Sequence, residues 1–304
     1  MMHLGYVTNN ASRPPGAVAA QLRELGLTLD DAAVVTSAQA AARLVAGLVP
    51  AESRVLVVGG DGLVEALAEH GLRAVHRLED EPAAVVQGFA PTVGWEQLAE
   101  GAYAVAAGLP WVASNVDRTI PTPQGRAPGN GTLVAAVREA TGIDPVVAGK
   151  PEPALVEESV LRTGAKQPLM VGDRLDTDIA GARRAEIPSL LVLTGVTSLE
   201  ELFGAAGDER PDFVAGGLGG LLHPHEPVSA EARAARCGPW AATVDAGNLR
   251  LDGPPQSDPI DERATTAALR AVVTAAWAAQ DSGTPNLDGA EVADRLREMM
   301  RQGT

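Results

Sequence analysis

The stretch GDRLDTD, residues 172–178, sets three carboxylates within six residues, directly after the apolar run Leu169–Val171. Such crowding is electrostatically costly unless a cation is present. Asp173, first after the run, is the best placed metal ligand. Asp176 can simply face solvent, and Asp178 can cap the helix that follows. A second polar corner, Thr8-Asn9-Asn10, follows Tyr6 and Val7 and offers a hydroxyl and two amides. Alone it reads as a turn more readily than as a binding site. A third, GKPEP at 149–153, carries Lys150 just ahead of an expected helix, where a cation opposes the helix dipole unless an anion offsets it. A phosphate needs donors and a cation around its oxygens, and Mg²⁺ needs one or two carboxylates with phosphate and water. Neutral donors, a cation and paired carboxylates together spell phosphoryl chemistry.

The elements that must position these corners alternate between apolar runs and helix-period segments, the pattern of βα units around a mostly parallel sheet. Strands are expected at 6–7, 54–58, 83–89, 110–115, 145–147, 168–172, 188–193 and 212–215. Helices are expected at 15–26, 37–48 (capped by Ser37), 61–71, 94–108, 129–142, 152–165 and 175–187. In a parallel sheet the carboxyl ends of the strands share one edge, so corners far apart in sequence can meet there. The GGDG turn at 59–62 is a lone glycine turn after a strand and reads as an internal βα turn rather than a nucleotide loop. Beyond Leu222 the texture changes: 223–240 is polar and loop-like, 240–253 alternates about an Ala-Gly-Asn turn as a hairpin does, and helices are expected at 262–280 and 288–302. His223 and His225 sit close enough for zinc but lack companion ligands, and read as a solvated linker. The apolar stripe Leu269, Val272, Val273 and Trp277 reads as core or interface.

Thirty-nine acidic residues against 24 basic ones give a formal charge of −15 over 304 residues. That field argues against nucleic acid and anionic membranes as partners, while leaving a small phosphorylated metabolite open. The single cysteine, Cys237, excludes an internal disulfide framework and fits a reducing compartment. With no apolar run of membrane-spanning length and no signal segment, the expected location is the cytoplasm.

VTNNASR, VVAGKPEP and MVGDRLDTDIAGA resemble the second, third and fourth motifs of the haloacid dehalogenase superfamily, over about residues 4–222. The long insertion between the second and third resembles the large α/β cap of the subfamily that includes nucleotide, p-nitrophenyl phosphate, phosphoglycolate and pyridoxal phosphate phosphatases. The resemblance implies a Rossmann-like, doubly wound α/β core in two parts (1–30 and 147–222), a cap at 31–146, and a small α+β extension at 223–304. That extension is similar to one found on some actinobacterial glycerol 3-phosphate phosphatases. By the same resemblance Thr8 and Asn9 hold the transferring phosphoryl group, with Asn10 alongside. Lys150 stabilises its charge, Asp173 binds Mg²⁺ and Asp178 supports that site. The loop at 114–125 resembles the substrate-facing loop of the cap. Asn115 and Asp117 either contact substrate or shape the loop by side-chain-to-backbone bonds. Arg118 either pairs with a substrate anion or with the acidic surface. Ile120 stands where pyridoxal phosphate phosphatases carry a histidine, which favours a small aliphatic phosphate such as glycerol 3-phosphate or 2-phosphoglycolate. Caps of this type often pair, so a homodimer is expected from the resemblance alone.

One departure is specific. The family's first motif is a D-x-D pair whose first Asp attacks phosphorus and whose second acts as general acid and base. Only MMHLGYV precedes Thr8 here. The expectation is a preceding strand–loop–helix of about 30 residues absent from the recorded start, and a chain that is inactive as written. The alternative is a non-catalytic phosphate-ester binder.

Overall fold

The computed structural model describes residues 2–254, 261–284 and 286–302. They divide into two compact units, residues 1–167 and 168–304.

In the first unit, β1 (Tyr6–Thr8) leads through α1 (Pro15–Glu24) to β2 (Val34–Thr36) and α2 (Ser37–Ala46). β1 and β2 pair in parallel, Thr8 opposite Thr36. Sequence reasoning did not anticipate β2, and it assigned the cap of α2 one residue too late. Thr36 is the cap: its hydroxyl accepts the Gln39 N–H, and the Gln39 side chain returns a bond to the Thr36 backbone, a reciprocal pairing that satisfies two donors at the helix start. Ser37 is thereby freed for a different task.

The rest of this unit is a second parallel sheet with its connections. It comprises β3 (Arg54–Val58), α3 (Asp61–Glu69), β4 (Arg73–Val75), β5 (Ala84–Gln87), α4 (Trp95–Ala106), β6 (Trp111–Ala113), the hairpin β7 (Thr119–Thr122) and β8 (Gly125–Pro128), α5 (Asn130–Thr141), β9 (Val146–Val147) and α6 (Pro153–Thr163). The strand order β4-β3-β5-β6-β9 is parallel throughout. Both faces of this sheet are covered, which is why its strands read as unbroken apolar runs. Val55 and Val57 join one buried cluster with α2 and α3, while Leu56 and Val58 join another with α4 and α5. The glycine turn at 59–62 packs rather than binds. A Cβ on Gly62 would lie 2.5 Å from the carbonyl oxygen of Ala11 and 2.8 Å from that of Arg13, so backbone fills the space a nucleotide phosphate would need.

The second unit begins with β10 (Met170–Gly172), a π-helical turn (Leu175–Ile179), α7 (Ala180–Arg184), β11 (Ser189–Val192), α8 (Leu199–Phe203) and β12 (Phe213–Ala215). These strands form a parallel sheet in the order β10-β11-β12. After a 3₁₀ turn at Leu218–Leu221 the chain forms four antiparallel strands: β13 (Val228–Glu231), β14 (Ala234–Cys237), β15 (Trp240–Asp245) and β16 (Asn248–Asp252). Helices α9 (Glu262–Asp281) and α10 (Ala290–Gln302) follow. The expected loop at 223–240 is therefore corrected, since it contains two strands. They were illegible because β13 is mostly exposed and polar, with only Val228 turned toward the core. The stripe on α9 is core: Leu269, Val272 and Val273 are buried, and the Trp277 indole N–H donates to the Leu202 carbonyl at 3.0 Å. Among the described residues no helix is long and apolar enough to cross a membrane.

Candidate active site

In the first unit one side chain ties the polar corners together. β1 ends at Thr8, and Asn9 follows it. The Asn9 amide pairs with the backbone of Lys150 as one strand pairs with another: its Oδ1 accepts the Lys150 N–H at 2.9 Å, and its Nδ2 donates to the Lys150 carbonyl at 3.1 Å. The same Nδ2 approaches both carboxylate oxygens of Asp117, at 3.2 and 3.3 Å. The Asn9 carbonyl accepts from the Ser37 hydroxyl at 2.6 Å and from the Asn115 amide at 2.8 Å. Asn9 thus joins the ends of β1 and β6, the start of α2 and the loop before α6. With its amide so occupied, Asn9 fixes the corner's geometry.

Thr8 and Asn10 remain as donors of the corner. The Thr8 hydroxyl oxygen accepts the Asn10 N–H at 3.1 Å, which leaves its O–H to donate outward. Asn10 Oδ1 accepts the Ser12 N–H at 2.8 Å and closes an Asx turn. Lys150 is 9% exposed, follows the buried residue Ala148 closely, and has its Nζ 3.5 Å from the Val7 carbonyl, at the outer edge of hydrogen bonding. Its peptide bond to Pro151 is cis.

The 114–125 loop joins this group through Asn115 and Asp117. The Asn115 Oδ1 accepts the Asp117 N–H at 3.1 Å, and the Asn130 amide donates to the Asn115 carbonyl at 2.7 Å. Both bonds shape the loop. Arg118 stands apart: its side chain is exposed, and its carbonyl accepts from the Thr132 hydroxyl at 2.7 Å. Sequence reasoning missed Ser37 and Asn130. Each looked like an ordinary residue at a helix start, and only the fold shows which carbonyl each one reaches.

In the second unit Asp173 follows β10. One of its carboxylate oxygens accepts the Val196 N–H at 2.8 Å, and its carbonyl accepts the Thr197 N–H at 3.1 Å. Asp178 is 7% exposed, and its Oδ2 accepts the N–H groups of Asp173 and Arg174 at 3.3 and 3.2 Å. It therefore braces the loop behind it rather than capping α7, whose start has no side-chain cap. Asp176 faces solvent, as expected, and pairs with Arg174 at 2.8 and 3.0 Å. Two carboxylates from one loop, each held by backbone amides, fit the one or two that Mg²⁺ takes. Among the described residues no three His, Cys, Asp or Glu side chains form a closed metal-holding group.

Known proteins resemble this chain in sequence and fold. A family model described as haloacid dehalogenase-like hydrolase matches residues 2–73, and a HAD-hydrolase-like model matches 147–221. The D-glycerol 3-phosphate phosphatase of Mycobacterium tuberculosis is 48% identical over 278 residues, which cover 90% of this chain and 77% of that relative. A 5′-nucleotidase of Bacillus subtilis is 36% identical over 199 residues, covering 65% of this chain and 76% of the relative. The crystal structure of the M. tuberculosis glycerol phosphate phosphatase in complex with magnesium superposes with a TM-score of 0.81 at 43% identity, covering 98% of this chain and 88% of that one. On this likeness, the chain belongs to the haloacid dehalogenase-like hydrolase family.

Proposed function

We propose that this protein is a Mg²⁺-dependent phosphomonoesterase acting on a small aliphatic phosphate, with glycerol 3-phosphate ahead of 2-phosphoglycolate. The observation that carries the reading is the two-way bond between Asn9 and the Lys150 backbone, which ties Lys150 to the end of β1, where its ammonium lies 3.5 Å from the Val7 carbonyl. A cation and a free O–H donor at the end of a strand are what a phosphate's oxygens require. The 48% identity to a glycerol 3-phosphate phosphatase, and the magnesium complex of a structural neighbour, support the substrate and the ion. Ile120, on β7, supports an aliphatic rather than an aromatic leaving group.

In this reading the Thr8 O–H donates to a phosphoryl oxygen, with Asn10 beside it. The Lys150 ammonium offsets the charge of the phosphoryl group and of the attacking carboxylate. Asn9 keeps Lys150 in register with Thr8. Asn115 and Asp117 hold the loop that meets the leaving group, and Arg118 pairs with a second anionic group where the substrate has one. Asp173 holds Mg²⁺ and Asp178 orients that loop. The ion, when bound, neutralises phosphate oxygens. By the family resemblance the attacking carboxylate is the first Asp of a D-x-D pair.

Phosphate release from glycerol 3-phosphate, measured on protein purified from its own host with Mg²⁺ and with EDTA, tests the reading. Mg²⁺-dependent release that Asp173→Ala abolishes is the expected outcome. Saturable binding of glycerol 3-phosphate without hydrolysis would favour the non-catalytic binder instead. We further propose a homodimer formed through residues 31–146, where α4 turns Trp95 and Tyr103 to solvent; light scattering at twice the chain mass is the expected result.

A further inference from the structure

Among the described residues of the second unit six buried polar atoms have no hydrogen-bond partner; one is the Trp240 indole nitrogen, and the other five are Nδ1 and Nε2 of His223, Nδ1 of His225, Oγ1 of Thr266 and a terminal nitrogen of Arg270. Buried polar groups are nearly always satisfied, so a cluster of exceptions calls for a missing partner. The two imidazole rings are 6.1 Å apart. The Phe213 ring carries both His225, edge-on at 5.3 Å, and the Arg270 guanidinium at 5.5 Å. Thr266 lies one helical turn before Arg270 on α9, on the same face, and is 3% exposed.

The charge at this place is one-sided. Among the described residues Arg270 has no carboxylate partner. Glu226 is committed to Arg263. Glu262 sits two turns away along α9, so close to the backbone at Gly219 that a Cβ there would strike its carboxylate. Burial pushes the Cys237 thiol up and the His225 imidazole down, so neither group balances the guanidinium. His225 Nε2 is taken by the Gly220 carbonyl at 2.8 Å. A neutral His225 that donates there keeps Nδ1 as an acceptor, so the unspent donors beside the uncompensated guanidinium are one ring N–H of His223 and the Thr266 hydroxyl.

We propose that Arg270, His223, His225 and Thr266 form a second ligand site that binds a small oxyanion of the phosphate type, separate from the Thr8–Lys150 corner. A guanidinium fork, one His223 N–H and the Thr266 hydroxyl match phosphate oxygens, and the His225 Nδ1 can accept the proton of a monohydrogen phosphate. A zinc site, which two histidines and a nearby cysteine would otherwise bring to mind, is disfavoured by the guanidinium among them and by the absence of a three-ligand group among the described residues. The proposal does not depend on the phosphatase reading.

The test is an imidazole ¹⁵N titration of the full chain with inorganic phosphate, the His223 and His225 signals being assigned with His223→Asn and His225→Asn. Both signals are expected to shift saturably. Arg270→Met is expected to weaken the effect about tenfold or more, the scale of one charge-assisted hydrogen bond, and Arg270→Lys to weaken it less. Phosphate bound at Thr8 leaves these two signals where they are. Shifts produced by a phosphate monoester but not by inorganic phosphate would keep the site and make the ester its ligand. Unmoved signals in the parent protein overturn the proposal, whether or not the variants fold. So do equal shifts in Arg270→Met, or shifts with zinc chloride and none with phosphate.

Discussion

Asn9 carries more of the first unit's polar corner than Thr8 or Lys150, because its side chain and carbonyl together meet Lys150, Asp117, Ser37 and Asn115. Asn9→Ala strips the side-chain bonds, including both to the Lys150 backbone, at a cost of about 1–3 kcal/mol. The urea midpoint should fall, and phosphate binding should fall with it, while Asn10→Ala should affect neither as strongly. His225 sets a pH dependence. Burial holds its imidazole below the ordinary value of 6.5, with the nearby Arg270 acting in the same direction. A base with a depressed folded pKa costs nothing while neutral in both states. As pH falls below 6.5 the unfolded chain takes up a proton that the folded one refuses, so stability drops until the folded pKa is passed. Melting temperatures from pH 8 to 5 should show this decline, and His225→Asn should flatten it. At this scale the sequence was a good guide to residue types and a poor one to partners. Thr8, Asn9, Lys150 and Asp117 were visible as chemistry. That Asn9 would spend its amide on a backbone 141 residues away could not be read from spacing.

The elements were most legible where periodicity was strong. The buried strands β3, β5 and β11 and the helices α4, α5 and α9 all lie where their apolar patterns placed them. β2, β4 and the β7–β8 hairpin were missed because three or four residues show no period. β13 and β14 were hidden by exposure on one face. The hairpin β15–β16 was foreseen from its turn, yet that turn is under strain. Ala246 and Gly247 both adopt positive φ, 47° and 86°, as a two-residue hairpin of this kind demands. Gly247 tolerates this and Ala246 does not, since a left-handed Cβ costs roughly 1–2 kcal/mol. Ala246→Asn should therefore raise stability by about 0.5–1 kcal/mol, read as a higher denaturant midpoint with an unchanged slope. Ala246→Val should lower it.

The whole chain carries 15 more negative than positive charges, and that excess acts on every element at once. Self-repulsion opposes compaction, and physiological salt shortens its reach to about 8 Å. Thermal midpoints should rise from low salt to 0.15 M NaCl, and the protein should pass unretained over a polyanionic column. The two units each hold a parallel sheet, but they assemble on different terms. The β10-β11-β12 sheet and its loop draw on residues within about 50 positions of one another. The corner around Asn9 instead waits for contacts 106 to 141 residues apart, the kind that slow folding most. During synthesis, a nascent chain that has not yet released Lys150 has Thr8 but no corner. The corner's geometry is therefore acquired late and in a single step, when the stretch around residue 150 arrives to meet a segment made 141 residues earlier.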